Sequence, residues 1–131
     1  MRTRLSTSLA LTAGLALSLI VSACGGSSAP ADTAPAGTDV EIHAVEGVAW
    51  NTTKFEVTAT DGKVTIFGRN DSSIAHNLYV LDKDKKVMAP FIDLPKRGAS
   101  GSREITLAPG EYHIVCKVPG HSNMNATLLV K

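Results

Sequence analysis

Three side chains with metal-binding chemistry lie close together near the end of this 131-residue chain. Cys116, His121 and Met124 fall within nine residues, and His76 lies 40 residues before the cysteine. A thiolate, two imidazoles and a thioether form a mixed soft and borderline donor set. In a trigonal array with a long axial Met, such a set selects copper and is typical of electron-transfer sites. These residue types therefore predict a copper site.

The elements around these residues favour their convergence. Cys116 ends a predicted strand whose alternate residues face inward, because side chains along a strand repeat with period two. A Pro-Gly pair at 119–120 turns the chain and brings His121 back toward the same end. Met124 comes just before the next strand, and His76 lies on the inward face of an earlier one. We expect all four side chains to meet at one end of the fold.

Alternating apolar and polar residues predict an all-β domain. About seven short strands separated by turn signals, without a helical period, are typical of an antiparallel β-sandwich or barrel. Residues 82–102 show no clean period and predict an irregular crossover between sheets. The strand signals lie at residues 40–45, 55–60, 64–66, 74–81, 104–107, 112–116 and 126–130.

The region from about residue 40 to 131 resembles the cupredoxins, a family of small blue-copper proteins. The matching segments are Phe55-Glu56-Val57, Asn70, His76-Asn77, Pro109-Gly110-Glu111-Tyr112, Cys116…His121…Met124 and Ala126-Thr127-Leu128. The resemblance implies a Greek-key sandwich that holds one type 1 copper ion. It assigns the ion's four ligands to His76, Cys116, His121 and Met124.

Two departures from the family pattern refine this resemblance. Only Ser122-Asn123 separates the loop histidine from the methionine, as in the short amicyanin spacing, and the loop lacks the second cysteine of a binuclear copper centre. Asn77 matches a family asparagine that ties the histidine strand to the ligand loop, and such contacts orient metal ligands. Lys117 follows the cysteine where relatives often have Ser or Thr. We therefore keep two interpretations of Asn77: a residue that bonds to the backbone of the ligand loop, and an ordinary strand residue without that contact.

The start of the chain predicts export. Arg2 and Arg4 precede an apolar run over residues 9–21, which is too short for the ~20 residues of a membrane span and is typical of a signal peptide. The following Val-Ser-Ala-Cys resembles the bacterial lipoprotein cleavage box, which implies that Cys24 is lipid-modified. Ordinary secretion is the alternative interpretation.

The chain thus divides into three parts. We expect a lipoprotein signal peptide at 1–23, and a lipidated cysteine with a flexible linker of small residues and proline at 24–38. The copper-binding domain then occupies 39–131. Two cysteines in all exclude a disulfide-dense scaffold, and Cys116 is left as a lone thiol that needs a role.

Charge and composition exclude several functions. Thirteen Lys+Arg against 12 Asp+Glu give a net charge of +1, without the basic excess of a nucleic-acid-binding protein. No paired acids, nucleophile–base set or phosphate-binding loop is evident, and a site with four protein ligands leaves no open position for substrate. We therefore expect that the protein is not an enzyme.

Two functions fit these observations. The first is a monomeric, lipid-anchored extracytoplasmic electron carrier that cycles between Cu(I) and Cu(II) and meets unidentified redox partner proteins. The second is a copper storage, delivery or buffering protein at the cell surface. We interpret His43 and His113 as surface strand residues and Met88 as a packing residue. The basic group formed by Lys83, Lys85, Lys86, Lys96 and Arg97 is either a solvated face or a docking patch.

Overall fold

The computed structural model describes residues 33–131, so the signal peptide and the lipidation predicted at Cys24 lie outside the described residues. Nine strands and no helix occur in this part of the chain. Within it, no helical segment has the length and apolar character needed to cross a bilayer. The strands are β1 Val40–Val45, β2 Ala49–Trp50, β3 Lys54–Val57, β4 Lys63–Asn70, β5 His76–Leu81, β6 Ile92–Leu94, β7 Ser100–Thr106, β8 Gly110–Val115 and β9 Asn125–Val130.

The strands form two sheets that enclose one apolar core. The smaller sheet has the order β2-β1-β4-β7, and the larger has the order β3-β9-β8-β5-β6. Inward residues of both sheets join in the core, as Ile42 and Val64 of one sheet and Ile114 and Leu128 of the other illustrate. The prediction of an all-β sandwich is confirmed.

Two strand pairs are parallel, where the sequence predicted antiparallel pairing throughout. β1 pairs with β4 in parallel, and β3 pairs with β9 in parallel. Both pairs join strands that no hairpin connects. After β1 and β2 the chain crosses to β3 in the other sheet before it returns as β4, so β4 enters its sheet in the same direction as β1.

The segment 82–102 contains more regular structure than its sequence indicates. β6 pairs with β5 at the edge of the larger sheet, and Ile92 and Leu94 are buried on either side of the exposed Asp93. Three residues are too few to establish a period in the sequence. The first residues of β7 are Ser and Gly. They nevertheless extend the pairing with β4, where Gly101 lies opposite Gly68.

The alternation on β9 allows a direct test of which face stabilises the fold. Leu128 is fully buried, whereas its neighbour Leu129 points away from the core and is only partly buried. We expect Leu128→Ala to lower the free energy of unfolding of the metal-free domain by about 2–5 kcal/mol, since it leaves a cavity. Leu129→Ala, the same change one residue on, should cost clearly less. Urea denaturation measures both, and equal losses would contradict this assignment of the core.

Candidate metal centre

Strand pairing brings the upstream histidine and the cysteine together. β5 and β8 are antiparallel neighbours, with Tyr79 opposite Val115. The start of β5 therefore lies beside the end of β8, where Cys116 follows directly. His76 is the first residue of β5 and alternates onto its buried face. The two side chains meet because both occupy the inward face at the same end of adjacent strands.

The segment after Cys116 folds back on itself and returns His121 to the same place. The His121 amide donates to the Val118 carbonyl at 3.0 Å, and Gly120 supplies a positive φ of 88° within this turn. Glycine adopts that conformation without the steric cost that a Cβ imposes. The Pro-Gly signal in the sequence therefore marks the turn that delivers the loop histidine.

Met124 closes the loop. Its amide donates to the His121 carbonyl at 2.9 Å, and its carbonyl accepts from the Cys116 amide at 3.2 Å. The side chain is only 1% exposed, and β9 begins at the next residue. The methionine is thus attached through its backbone to both loop residues of the predicted ligand set.

The donor atoms of three predicted ligands form a compact buried cluster. Cys116 Sγ lies 3.5 Å from His121 Nδ1 and 3.9 Å from His76 Nδ1, and the three donors all fall within 4.8 Å of one another. Bonds of about 2.0–2.1 Å from a metal to nitrogen and about 2.3 Å to sulfur place such donors about 3.5–3.8 Å apart at tetrahedral to trigonal angles. The observed separations fit one ion between the three side chains.

Burial favours the ligand form of the upstream histidine. Removal from water lowers the pKa of His76, and the nearby His121 lowers it further. The imidazole rings of the two histidines have centroids 4.8 Å apart, so one protonated ring disfavours a charge on the other. A metal binds the neutral imidazole, which is the state that these surroundings stabilise at neutral pH.

Asn77 links the histidine strand to the ligand loop, as the resemblance implied. Its Oδ1 accepts a 2.7 Å hydrogen bond from the amide of Lys117, the residue after the cysteine. The bond goes to the backbone, so it does not need the Ser or Thr that relatives often have there. Of the two roles left open for Asn77, the structure shows the backbone contact.

Sequence reasoning missed one polar contact and one aromatic neighbour of the site. Ser72 Oγ lies 2.8 Å from His76 Nε2, and the ring of Trp50 lies 6.5 Å from the His76 ring. Ser72 belongs to the turn before β5, where no periodicity marks a serine as an inward residue. Trp50 is buried in the core.

The other candidate ligands have different surroundings. His43 Nδ1 lies 2.7 Å from an Asp71 carboxylate oxygen on the outer side of β1. His113 alternates with the inward residues of β8 and is partly buried. Met88 packs against the core, as its sequence context indicated.

Comparison with known proteins identifies the fold. No family model matches the chain, and no curated protein matches it by sequence. Solved structures do match. The reduced auracyanin of Roseiflexus castenholzii aligns with a TM-score of 0.62 at 22% identity over 74% of this chain and 99% of its own. An azurin from Methylomonas sp. strain J aligns with a TM-score of 0.61 at 18% identity over 73% and 99%.

A third structure has the same architecture. Auracyanin A of Chloroflexus aurantiacus, described as a "blue" copper protein, gives a TM-score of 0.59 at 22% identity over 70% of this chain and 97% of its own. The domain therefore has the cupredoxin fold, as the resemblance in its sequence predicted. Its cluster of two histidines and a cysteine lies at the meeting point of β5, β8 and the loop before β9.

The Asn77 bond should stabilise the ligand loop even without metal. Asn77→Ala leaves the Lys117 amide without its partner, so we expect about 1 kcal/mol less free energy of unfolding and faster hydrogen exchange at Lys117. Asn125→Ala is the control, because the Asn125 side chain bonds only to the nearby Asn123 carbonyl. Denaturation and amide exchange of the metal-free domain measure both effects. Unchanged exchange at Lys117 would contradict this role.

Proposed function

We propose that the protein is a type 1 copper protein that carries single electrons. One observation supports this above all: a buried cysteine sulfur lies 3.5 and 3.9 Å from two imidazole nitrogens on a cupredoxin fold. Met124, bonded through its backbone to both loop ligands, is the axial donor in this proposal. Two imidazoles, a thiolate and a weak axial thioether are the donor set of blue-copper electron-transfer sites.

The protein contributes a site whose ligand geometry would change little when bound copper gains or loses an electron. Bound copper supplies a Cu(I)/Cu(II) couple that takes up or releases one electron. His76 and Cys116 lie at strand ends, and the loop is bonded to itself and to Asn77. Because these contacts hold the ligands in one compromise arrangement, little structural change accompanies reduction, which lowers the barrier to electron transfer.

His121 is the proposed exit for the electron. Its side chain is 8% exposed and lies in the surface loop, next to the partly exposed Val118 and the exposed Pro119. These apolar neighbours offer a redox partner an apolar surface beside the ring. The partners in this proposal are separate donor and acceptor proteins, and the carrier acts as a monomer without nucleic acid. Four protein ligands would leave a bound copper ion no open position for substrate, so we propose no enzymatic activity.

We further propose that the carrier works outside the cytoplasm and is held to a membrane by lipid on Cys24. The support is the sequence before the described domain: charged residues, a short apolar run, the Val-Ser-Ala-Cys box and a linker of small residues. Such a linker lets the domain move away from the bilayer and reach its partners.

Copper storage or delivery uses the same ligands and is the competing function. A carrier keeps its copper through many reversible cycles, which voltammetry of the copper-loaded protein measures. A delivery protein releases copper readily to a competing chelator in one oxidation state. The buried position of the three donors favours retention of the metal and hence the carrier.

The proposed ligands have different roles that two substitutions separate. With Cu(II), the wild type should develop an intense blue absorption from thiolate-to-copper charge transfer, and Cys116→Ser should abolish it. Met124→Leu is the matched control: it should keep copper and colour but raise the reduction potential, because a weak axial donor is removed. Quenching of Trp50, the single tryptophan, reports metal binding independently of colour. An uncoloured wild type would refute the type 1 assignment.

The anchor is tested separately. We expect the wild-type protein in the membrane fraction, since multiple acyl chains on one residue hold a protein firmly to a bilayer. Cys24→Ala should give unprocessed or released protein whose domain still folds and binds copper. Fractionation and mass analysis of the mature N-terminus measure this. A wholly soluble wild-type protein outside the cytoplasm would contradict the lipid anchor and leave the copper site unaffected.

A further inference from the structure

The two ring nitrogens of His76 have different neighbours. Nδ1 faces the thiol of Cys116, whereas Nε2 lies 2.8 Å from the hydroxyl oxygen of Ser72. Both His76 and Ser72 are almost completely buried, at 1% and 0% exposure. Solvent water therefore does not reach either nitrogen of the His76 ring. Which nitrogen carries the single ring proton depends on the neighbouring protein groups.

Asn70 determines which way the Ser72 hydroxyl points. Its Nδ2 lies 2.7 Å from the Ile74 carbonyl and 2.9 Å from the Leu94 carbonyl, and carbonyls only accept hydrogen bonds. The amide nitrogen must therefore face them. The Asn70 Oδ1 then faces Ser72 and accepts from both its amide and its hydroxyl, each at 2.9 Å.

The hydroxyl has one proton, and Asn70 Oδ1 at 2.9 Å is a nearer acceptor for it than the Ile74 carbonyl at 3.2 Å. Donation to either acceptor leaves an oxygen lone pair for His76. We infer that Asn70 and Ser72 form a relay that holds the His76 proton on Nε2 and leaves the Nδ1 lone pair free toward the cysteine. Nδ1 is the atom that faces the proposed copper, so for its effect on the metal this inference rests on the proposed function. Ser72 acts as a positioning residue, because it contacts His76 and not the metal.

The opposite proton arrangement satisfies fewer groups. If the Ser72 hydroxyl donated to Nε2, Asn70 Oδ1 would lose its second donor and the ring proton would move to Nδ1. That proton would point at Cys116 Sγ across 3.9 Å, a long separation even for a sulfur acceptor. The relay instead gives Asn70 Oδ1, the Ser72 hydroxyl and His76 Nε2 partners at 2.9 Å or less, and leaves only a lone pair on Nδ1 facing the cysteine.

The turn that carries Ser72 is anchored on several sides. The backbone amide of Asn70 donates to the Ala99 carbonyl, and the backbone amide of Asp71 donates to the Ala44 carbonyl, both at 2.8 Å. The Arg97 guanidinium donates to the Asp71 carbonyl and also pairs with Glu46. Ser72 is therefore held in place by contacts that do not involve a metal, and the histidine is oriented before any ion binds.

Nitrogen NMR of the metal-free protein tests the relay directly. At alkaline pH, where the ring is neutral, we expect His76 to carry its proton on Nε2 in the wild type. Ser72→Ala removes the acceptor and should give a mixture of tautomers or a shift to Nδ1. Ser73→Ala is the matched control, because the exposed Ser73 hydroxyl donates to Glu46 rather than to His76 within residues 33–131 and its loss should leave His76 unchanged.

Copper titration followed by Trp50 fluorescence measures the consequence for the metal. Loss of a hydrogen bond that orients a ligand histidine typically costs 10–100-fold in metal affinity, and we expect about that loss for Ser72→Ala and none for Ser73→Ala. A wild-type ring protonated on Nδ1 overturns the relay whether or not the variants fold. A wild type that shows the expected tautomer but binds no copper supports the relay and refutes the proposed function.

Discussion

The antiparallel pairing of β5 with β8 is the constraint on which the site depends. It places the start of β5 beside the end of β8, which Cys116 directly follows, so His76 and Cys116 meet although 40 residues separate them. The ladder that stabilises the larger sheet therefore also sets the distance between two of the proposed ligands. A one-residue slip would turn one of these side chains away from the core, because alternate residues face opposite sides of a sheet.

The rest of the site is built onto this pair by local hydrogen bonds. The loop from Cys116 to Met124 closes through backbone contacts, and Asn77 ties the Lys117 amide to β5. Ser72 approaches the other edge of the His76 ring from the preceding turn. The cysteine sulfur and the two imidazoles are thus gathered in a buried position whose geometry comes from backbone and side-chain hydrogen bonds.

This arrangement agrees with the proposed function of reversible electron transfer. The donors are buried, so solvent contributes little to reorganisation, and His121 alone of the two histidines lies in the surface loop. In the proposed function, the same rigidity would also hold the copper in place. A copper storage protein and an electron carrier differ in how easily the copper ion dissociates. The many contacts around the proposed ligands favour slow dissociation, which the proposed carrier requires.

Residue types and local spacing were enough to predict the β class, most strands and the four candidate ligands, since alternation and the Cys…His…Met spacing are local properties of the chain. The two parallel pairs, the edge strand β6 and the contact of Ser72 with His76 were not predictable in this way. Each depends on which strands become neighbours and on how a turn is anchored by distant residues. Those are properties of the packed sheets, so only the tertiary structure decided them.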